Sequence, residues 1–287
     1  MCRLLGYLGP AGGSAEPWLV SSERSLLRQS DADPKGLQED GWGIAWYSGE
    51  DATVSVTKGV HGAHSPDERE RFMETARARA RGPLVIGHLR HASNPLKLPR
   101  EALLSLENSQ PFTFEGLIFA HNGSIPLPTE TRSYLGRLDD EVKGVNDSEV
   151  LFLLLAHHLE KSDDPLRAYA DTVGSLNEVW DKAGAKEGHS FSGLNVLFSR
   201  SPDELWAFCL AQGEHGCGLM ARDLPYYQMT YRTDRDVLVV GSEPFDNRPQ
   251  GWQPLLNGTY LNAERIDGHL SVRTGRLSIP MSMLPTT

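Results

Sequence analysis

The sequence predicts an antiparallel α+β layered fold. Strand-like runs occupy the start of the chain and nearly everything after Ser192, while the two clearest helical patterns lie together between them. A parallel sheet would alternate strand and helix throughout, so segregated blocks favour antiparallel layers. No internal repeat, low-complexity tract or long Pro/Ser/Gly linker interrupts the chain, which predicts one domain over residues 2–287.

Each element has a local reason. MCRLLGYLG opens with an apolar run and reads as a first strand. EPWLVSSERSLLRQS spaces Trp18, Leu19, Leu26 and Leu27 as a helix would. GWGIAWYS and ATVSVTKG read as paired strands turning at Gly49. SPDERERFMETARARARG carries acids early and arginines late, an order that suits the helix dipole. PLVIGHLRHAS and FEGLIFAHNG are buried strands ending in polar residues and a turn. NDSEVLFLLLAHHLEKS begins with Asn146 and Glu149 in capping-box spacing, and PLRAYADTVGSLNEVWDKAG follows; together these helices can cover one sheet face. GLNVLFSR, LWAFCLA, YYQMTYR, VLVVGS, TYLNAERI and HLSVRT then succeed one another as strands, with turns at SPDE, TDRD and DG.

Charge narrows the partners. Twenty-eight Lys and Arg against 38 Asp and Glu leave a net charge of -10, which repels phosphate backbones and anionic lipid heads. Neither nucleic acid nor a membrane is expected as a partner. No stretch reaches the roughly 20 apolar residues of a membrane span, and the start lacks the features of a signal peptide, so the expected location is cytoplasmic. Three cysteines form no disulfide framework and suit a reducing compartment. Cys209, His215 and Cys217 lie close in sequence but lack a second cluster of zinc-like spacing, so no metal is assigned and they read as ordinary buried thiols in a hairpin.

Four places can carry chemistry. Methionine is removable ahead of a small residue, so the mature chain can begin at Cys2. A nucleophile and a base then share one residue, because an α-amine titrates at about 7.7–8.0 and can take the thiol proton. The competing reading is a cysteine packed in the first strand. The turn at His121, Asn122 and Gly123 offers an amide side chain and an unobstructed backbone N–H as oxyanion donors, or is only a turn. Arg90 and His88 share a strand face by alternation; Arg90 can hold a carboxylate in a bidentate fork with Ser93 adding a hydroxyl, or can form a structural salt bridge. Asp147, at a helix start, can bind an ammonium or simply favour the helix dipole. Arg90 and Asp147 together would read an α-amino acid.

Cys2, GHLRHAS, HNG and NDSE occur in the order seen in class II glutamine amidotransferases, of the N-terminal-nucleophile (Ntn) hydrolases, and the chain resembles that family. MCRLLGYLG and DGWGIAW resemble the stand-alone branch that includes the ergothioneine-pathway γ-glutamyl hydrolase and YafJ-type proteins. The resemblance implies a four-layer αββα sandwich of two antiparallel sheets. It implies Cys2 as nucleophile with its α-amine as base, Asn122 and Gly123 as oxyanion hole, Arg90 and Ser93 on the α-carboxylate, and Asp147 on the α-amine. Trp42 and Gly43 resemble a segment lining the glutamine site, against a core-strand reading. The implied reaction is hydrolysis of a γ-glutamyl amide through a thioester, with γ-glutamyl hercynylcysteine sulfoxide as one such substrate and no cofactor. No phosphosugar or nucleotide module and no glycine-rich phosphate loop follows, which favours hydrolysis over ammonia transfer. A homo-oligomer or a separate synthase subunit stays open as partner. Two rival readings are an idle γ-glutamyl-binding module and a cysteine hydrolase using His88, His91 or His121 as base.

Overall fold

A computed structural model describes residues 2–34, 36–48, 52–213, 215–248 and 250–279. Strand β1 (Arg3–Leu8) leads through a π-helical turn, Pro17–Ser21, to helix α1 (Leu26–Gln29). Strands β2 (Trp42–Ser48) and β3 (Thr53–Gly59) come next, then α2 (Pro66–Glu74) and β4 (Leu84–Leu89). Helix α3 (Arg100–Leu103), strands β5 (Phe112–Phe114) and β6 (Leu117–Gly123), and α4 (Pro128–Thr131) precede the long helices α5 (Asp147–Lys161) and α6 (Pro165–Lys182). The remainder is strand: β7 (Leu194–Ser199), β8 (Glu204–Cys209), β9 (Met229–Asp234), β10 (Val237–Gly241), β11 (Gln253–Leu255), β12 (Thr259–Ile266) and β13 (His269–Arg276).

The strands form two antiparallel sheets, ordered β11-β9-β10-β1-β4-β2-β3 and β13-β12-β8-β7-β6-β5. Alternation along β1 explains the layering. Leu4 and Leu8 face the second sheet with Ile86, Ile118, Leu197 and Leu205, while Leu5 and Tyr7 face Leu19, Leu26 and Phe72 from the first helical layer. On the far side, α5 and α6 cover the second sheet through Leu151, Phe152, Leu155, Tyr169 and Leu176, against Phe119, Phe198 and Phe208. Each such Leu or Phe contributes roughly 1.5–3 kcal/mol by leaving water. The result is the expected αββα sandwich.

The differences from the sequence reading are local. Residues 16–30 do not form one helix: Ser22 is extended (φ -68, ψ 160), and the Ser25 hydroxyl donates to the Val20 carbonyl at 2.9 Å. Serine side chains compete with the helical backbone, and here they break it. The capping box is also rearranged. Asn146 accepts from the Ser148 N–H at 2.9 Å, but Glu149 accepts from Lys143 and Gly144 instead of returning to Asn146. The short strands β5 and β11 escaped the sequence reading because three residues show no alternation. β5 turns into β6 through Glu115 and Gly116, both at positive φ (47 and 83). Cys209 is buried but Cys217 is exposed, so the pair of buried thiols is corrected to one. The turn at Gly49 and the processing of Met1 lie outside the described residues.

Candidate active site

The site lies at the end of the sandwich where β1 begins and β4 and β6 finish. β1 runs antiparallel to β4 with Arg3 opposite Leu89, which brings Cys2 to the end of β4, next to Arg90. Cys2 is 8 % exposed, and its sulfur donates to the His91 carbonyl at 3.6 Å. Burial pushes its thiol pKa up, opposed among other charges by Arg90 and reinforced by Asp147. A thiol so placed stays protonated at neutral pH until a base removes its proton.

Arg90 extends the strand pairing: its N–H donates to Gly41 at 2.9 Å and its carbonyl accepts from Asp40 at 3.1 Å. The guanidinium is buried, yet Nη1 donates only to the main-chain carbonyls of Leu103 (2.6 Å) and Asp40 (3.2 Å). Among the described residues no carboxylate forms an ion pair with it. The Asp40 carboxylate is engaged elsewhere, with Arg100 at 2.7 Å and the Ala92 N–H at 2.8 Å. Burial lowers the Arg90 pKa, while Cys2, Asp40 and Asp147 oppose that shift. A buried cation with only carbonyl partners suits a bidentate anion.

Asp147, the first residue of α5, is 1 % exposed. Its carboxylate accepts from the hydroxyls of Ser93 (2.9 Å) and Ser124 (2.8 Å) and from the Ile125 N–H (2.9 Å). A carboxylate offers about four lone-pair sites, so three neutral donors leave it able to take an ammonium as well. Ser93 therefore orients the acid of the site, and its hydroxyl is turned to Asp147 rather than to Arg90.

β6 packs across the sandwich from β1 and β4. Asn122 is fully buried, and neither its Oδ1 nor its Nδ2 has a hydrogen-bond partner among the described residues. At Gly123 a Cβ would fall 1.8 Å from the Gly193 carbonyl oxygen, so only glycine permits that turn. Gln110 stands in for a neighbouring strand beside it: Oε1 accepts the His121 N–H at 2.6 Å and Nε2 donates to the His121 carbonyl at 3.2 Å.

The histidines are occupied or uncharged. His121 Nε2 faces the Gly193 carbonyl at 2.9 Å and so carries the proton, leaving Nδ1 to accept from the Ser148 hydroxyl at 2.9 Å. His91 Nδ1 faces the Leu37 carbonyl at 2.9 Å. His88 is buried and its pKa is lowered well below the usual value, by desolvation first and then by the Arg90 charge. Among the described residues no imidazole hydrogen-bonds Cys2.

Two expected residues stand differently. Trp42 is corrected from a site-lining residue to a core one: its indole packs edge-on to Phe72 at 5.1 Å on the helix-covered side, and Nε1 donates to Glu68 at 2.8 Å. Alternation sends Trp42 away from the inter-sheet side to which Cys2 and Arg90 belong. Gly43 acts through its missing side chain, since a Cβ there would meet the Gln110 carbonyl at 2.2 Å. It thereby admits the residue that braces the His121 main chain.

Sequence reasoning missed Gln110, Asp40 and the segment between β8 and β9. That segment brings Tyr226 and Tyr227 to the site: the Tyr226 hydroxyl donates to the Cys2 carbonyl at 3.5 Å, and a Cβ on Gly193 would strike the Tyr227 ring at 2.5 Å. Burial pushes the Tyr227 pKa up to about 12 and raises that of Tyr226, so both phenols stay neutral. Its length was the available signal, because a stretch of this size without its own regular structure is usually functional. Among the described residues no group of three or more His, Cys, Asp or Glu gathers as a metal site, and no helix is long and apolar enough to cross a membrane.

Comparison with known proteins agrees with this architecture. Residues 13–252 match the family described as class-II glutamine amidotransferases. The chain is 25% identical over 305 residues to a probable glutamine amidotransferase, DUG3, of Saccharomyces cerevisiae, covering 92% of this chain and 82% of that protein. A glutamine aminotransferase class-II domain protein from Silicibacter pomeroyi superposes with a TM-score of 0.61 at 20% identity, over 95% of this chain and 98% of the other. Glutamine phosphoribosylpyrophosphate amidotransferase from B. subtilis gives 0.58 at 19% identity, over 96% of this chain and 49% of that one.

Proposed function

The chain belongs to the class-II glutamine amidotransferases and is an amidohydrolase of that type, and from that premise we propose that it hydrolyses γ-glutamyl amides at Cys2. The observation that carries this reading is the buried Arg90 guanidinium, which meets only main-chain carbonyls yet lies within the electrostatic reach of Cys2 and Asp147. Arg90 takes the substrate α-carboxylate and Asp147 its α-amine. With both ends held, the γ-carbon is directed to the sulfur.

The α-amine of Cys2 accepts the thiol proton, and the thiolate attacks the γ-carbonyl. Asn122 Nδ2 and the Gly123 N–H donate to the oxygen as it becomes negative. As the C–N bond breaks, the protonated amine returns its proton to the departing nitrogen and a γ-glutamyl thioester remains. Water then adds to the thioester with the same amine as base, releasing glutamate and restoring the thiol. The occupied and uncharged histidines support the amine as base.

Mass spectrometry of the intact protein, followed by assay of a version carrying an uncleaved residue ahead of Cys2, tests the proposal. The processed chain should cleave γ-glutamyl p-nitroanilide and the extended one should not. Full activity of the extended chain would falsify the amine mechanism. A panel of glutamine, γ-glutamyl peptides and γ-glutamyl cysteine sulfoxides, hercynylcysteine sulfoxide included, identifies the leaving group. Cleavage of glutamine alone would favour an ammonia-supplying subunit, and binding without turnover an idle module.

A further inference from the structure

The residue after the nucleophile is itself unusual. Arg3 is fully buried, and its Nη1 donates to Glu243 Oε1 at 2.9 Å. Glu243, 1 % exposed, also accepts the main-chain N–H groups of Leu219, Met220 (2.8 Å) and Ala221 (2.7 Å). One carboxylate thus joins the nucleophile strand to the segment between β8 and β9. The Arg3 guanidinium lies 4.3 Å from the centroid of the Tyr226 ring, and the Tyr226 hydroxyl reaches back to the Cys2 carbonyl. Next to Glu243, Ser242 clamps Leu4 from both sides: its hydroxyl accepts the Leu4 N–H at 3.0 Å and its own N–H donates to the Leu4 carbonyl at 3.2 Å.

The two ends of this segment are held to the second sheet, where the Asn257 amide pairs with the Ala211 main chain at 2.8 and 3.0 Å and Asn195 Nδ2 donates to the Tyr227 carbonyl at 2.7 Å, while in its middle the Glu243 carboxylate takes the N–H groups of residues 219–221. Ala211, Tyr226 and Tyr227 form a small cluster separate from the three main cores, while Leu210 of the same segment joins the core under α5 and α6 and Leu219 and Ala221 are also buried. A bridge of Arg222 to Asp33 at 2.9 Å is more than half exposed on the arginine side and adds little.

We infer that Glu243 is a positioning residue for the reaction: through Arg3 and the 219–221 N–H groups it latches the Tyr226–Tyr227 wall against Cys2 and fixes the sulfur for attack. This rests on Cys2 being the nucleophile. Glu243 touches no reacting atom, so its contribution belongs to geometry. A displacement of about 1 Å at a reacting group can lower a rate by about 100-fold.

The test compares Glu243→Gln and the charge-neutral pair Arg3→Met with Glu243→Gln. Readouts are kcat and KM on γ-glutamyl p-nitroanilide, amide hydrogen exchange over residues 219–221, and the rate at which iodoacetamide alkylates Cys2. In Glu243→Gln, kcat should fall by about 100-fold while KM moves little, because Arg90 and Asp147 are untouched. Exchange at 219–221 and alkylation of Cys2 should both accelerate about tenfold, since the carboxylate that accepts those N–H groups is gone. The neutral pair, free of a lone buried charge, should regain the wild-type urea midpoint but not its kcat. Recovery of kcat by the pair, or unchanged exchange and alkylation in Glu243→Gln, overturns the latch. A wild type inactive on γ-glutamyl amides would instead defeat the proposed function, and the exchange and alkylation arms would still decide the latch.

Discussion

Replacing Asn122 with leucine should separate stability from activity. Leucine has nearly the shape of asparagine, so the exchange at this fully buried position opens no large cavity. Both amide atoms lack a partner among the described residues, and an unsatisfied buried polar group costs about 1–3 kcal/mol. Removing it should leave the unfolding free energy unchanged or raise it by about 1 kcal/mol, after some repacking strain. Turnover should move the other way, because loss of one oxyanion donor lowers kcat by about 10²–10³, or roughly 3–4 kcal/mol of transition-state stabilisation. Urea titration followed by tryptophan fluorescence gives the first quantity, and γ-glutamyl p-nitroanilide turnover the second. Activity retained within about threefold would refute the oxyanion role. A stability loss above about 2 kcal/mol would show that the amide serves the fold instead.

Other consequences follow from the same geometry. Asp147→Asn and Arg90→Ala should each raise KM about 10- to 150-fold, the worth of a charge-assisted hydrogen bond, with kcat changed far less; steady-state kinetics reads the split, and an unchanged KM would remove either residue from the recognition of the α-groups. Trp42→Phe should lower the unfolding free energy from urea titration by about 1–2 kcal/mol through loss of the Glu68 bond and leave KM alone, since the indole belongs to the core. Lys58, whose pKa burial lowers to about 8, is charged in both states below pH 8 and there weakens the fold. Between pH 8 and its unfolded value of 10.5 the folded protein releases the proton first, so stability should climb with pH by at most about 3 kcal/mol. Comparing urea midpoints of wild type and Lys58→Met across that window isolates the effect.

The layers were legible because their signals are periodic. Alternation along β1 and β4 and the long helical stripes of α5 and α6 each require only neighbouring residues. The same alternation, carried one step further, would have separated Trp42 from Arg90: Trp42 pairs with Leu89 across β2 and β4 and shares its face, while Arg90 falls on the other. What stayed hidden depends on contacts distant in sequence. Nothing near Gly43 announces that Gln110 must pass over it, and nothing near Ser93 says that its hydroxyl turns to Asp147, 54 residues away. The strand pattern of YYQMTYR places Tyr226 and Tyr227 in a strand, whereas β9 begins only at Met229.

Two buried arginines beside Cys2 differ in whether the protein itself answers their charge. Arg3 and Arg90 sit on adjacent antiparallel strands next to Cys2, on opposite faces by alternation, and both are at most 3 % exposed. Desolvating a guanidinium is expensive unless a carboxylate answers it. Arg3 has that answer within the protein, in Glu243, and its charge is spent on holding the chain. Arg90, on the inter-sheet face shared with Cys2, has carbonyl oxygens alone. These neutral partners position the fork without satisfying its charge, so a carboxylate arriving there gains the full Coulombic term with no internal competitor to displace. Asp147 mirrors this logic with the opposite sign, held by two hydroxyls and one N–H and by no cation at bonding distance among the described residues. In the proposed function, a ligand carrying both charges would complete two half-made ion pairs at once, a coupling that would select a free α-amino acid end over either an acid or an amine alone.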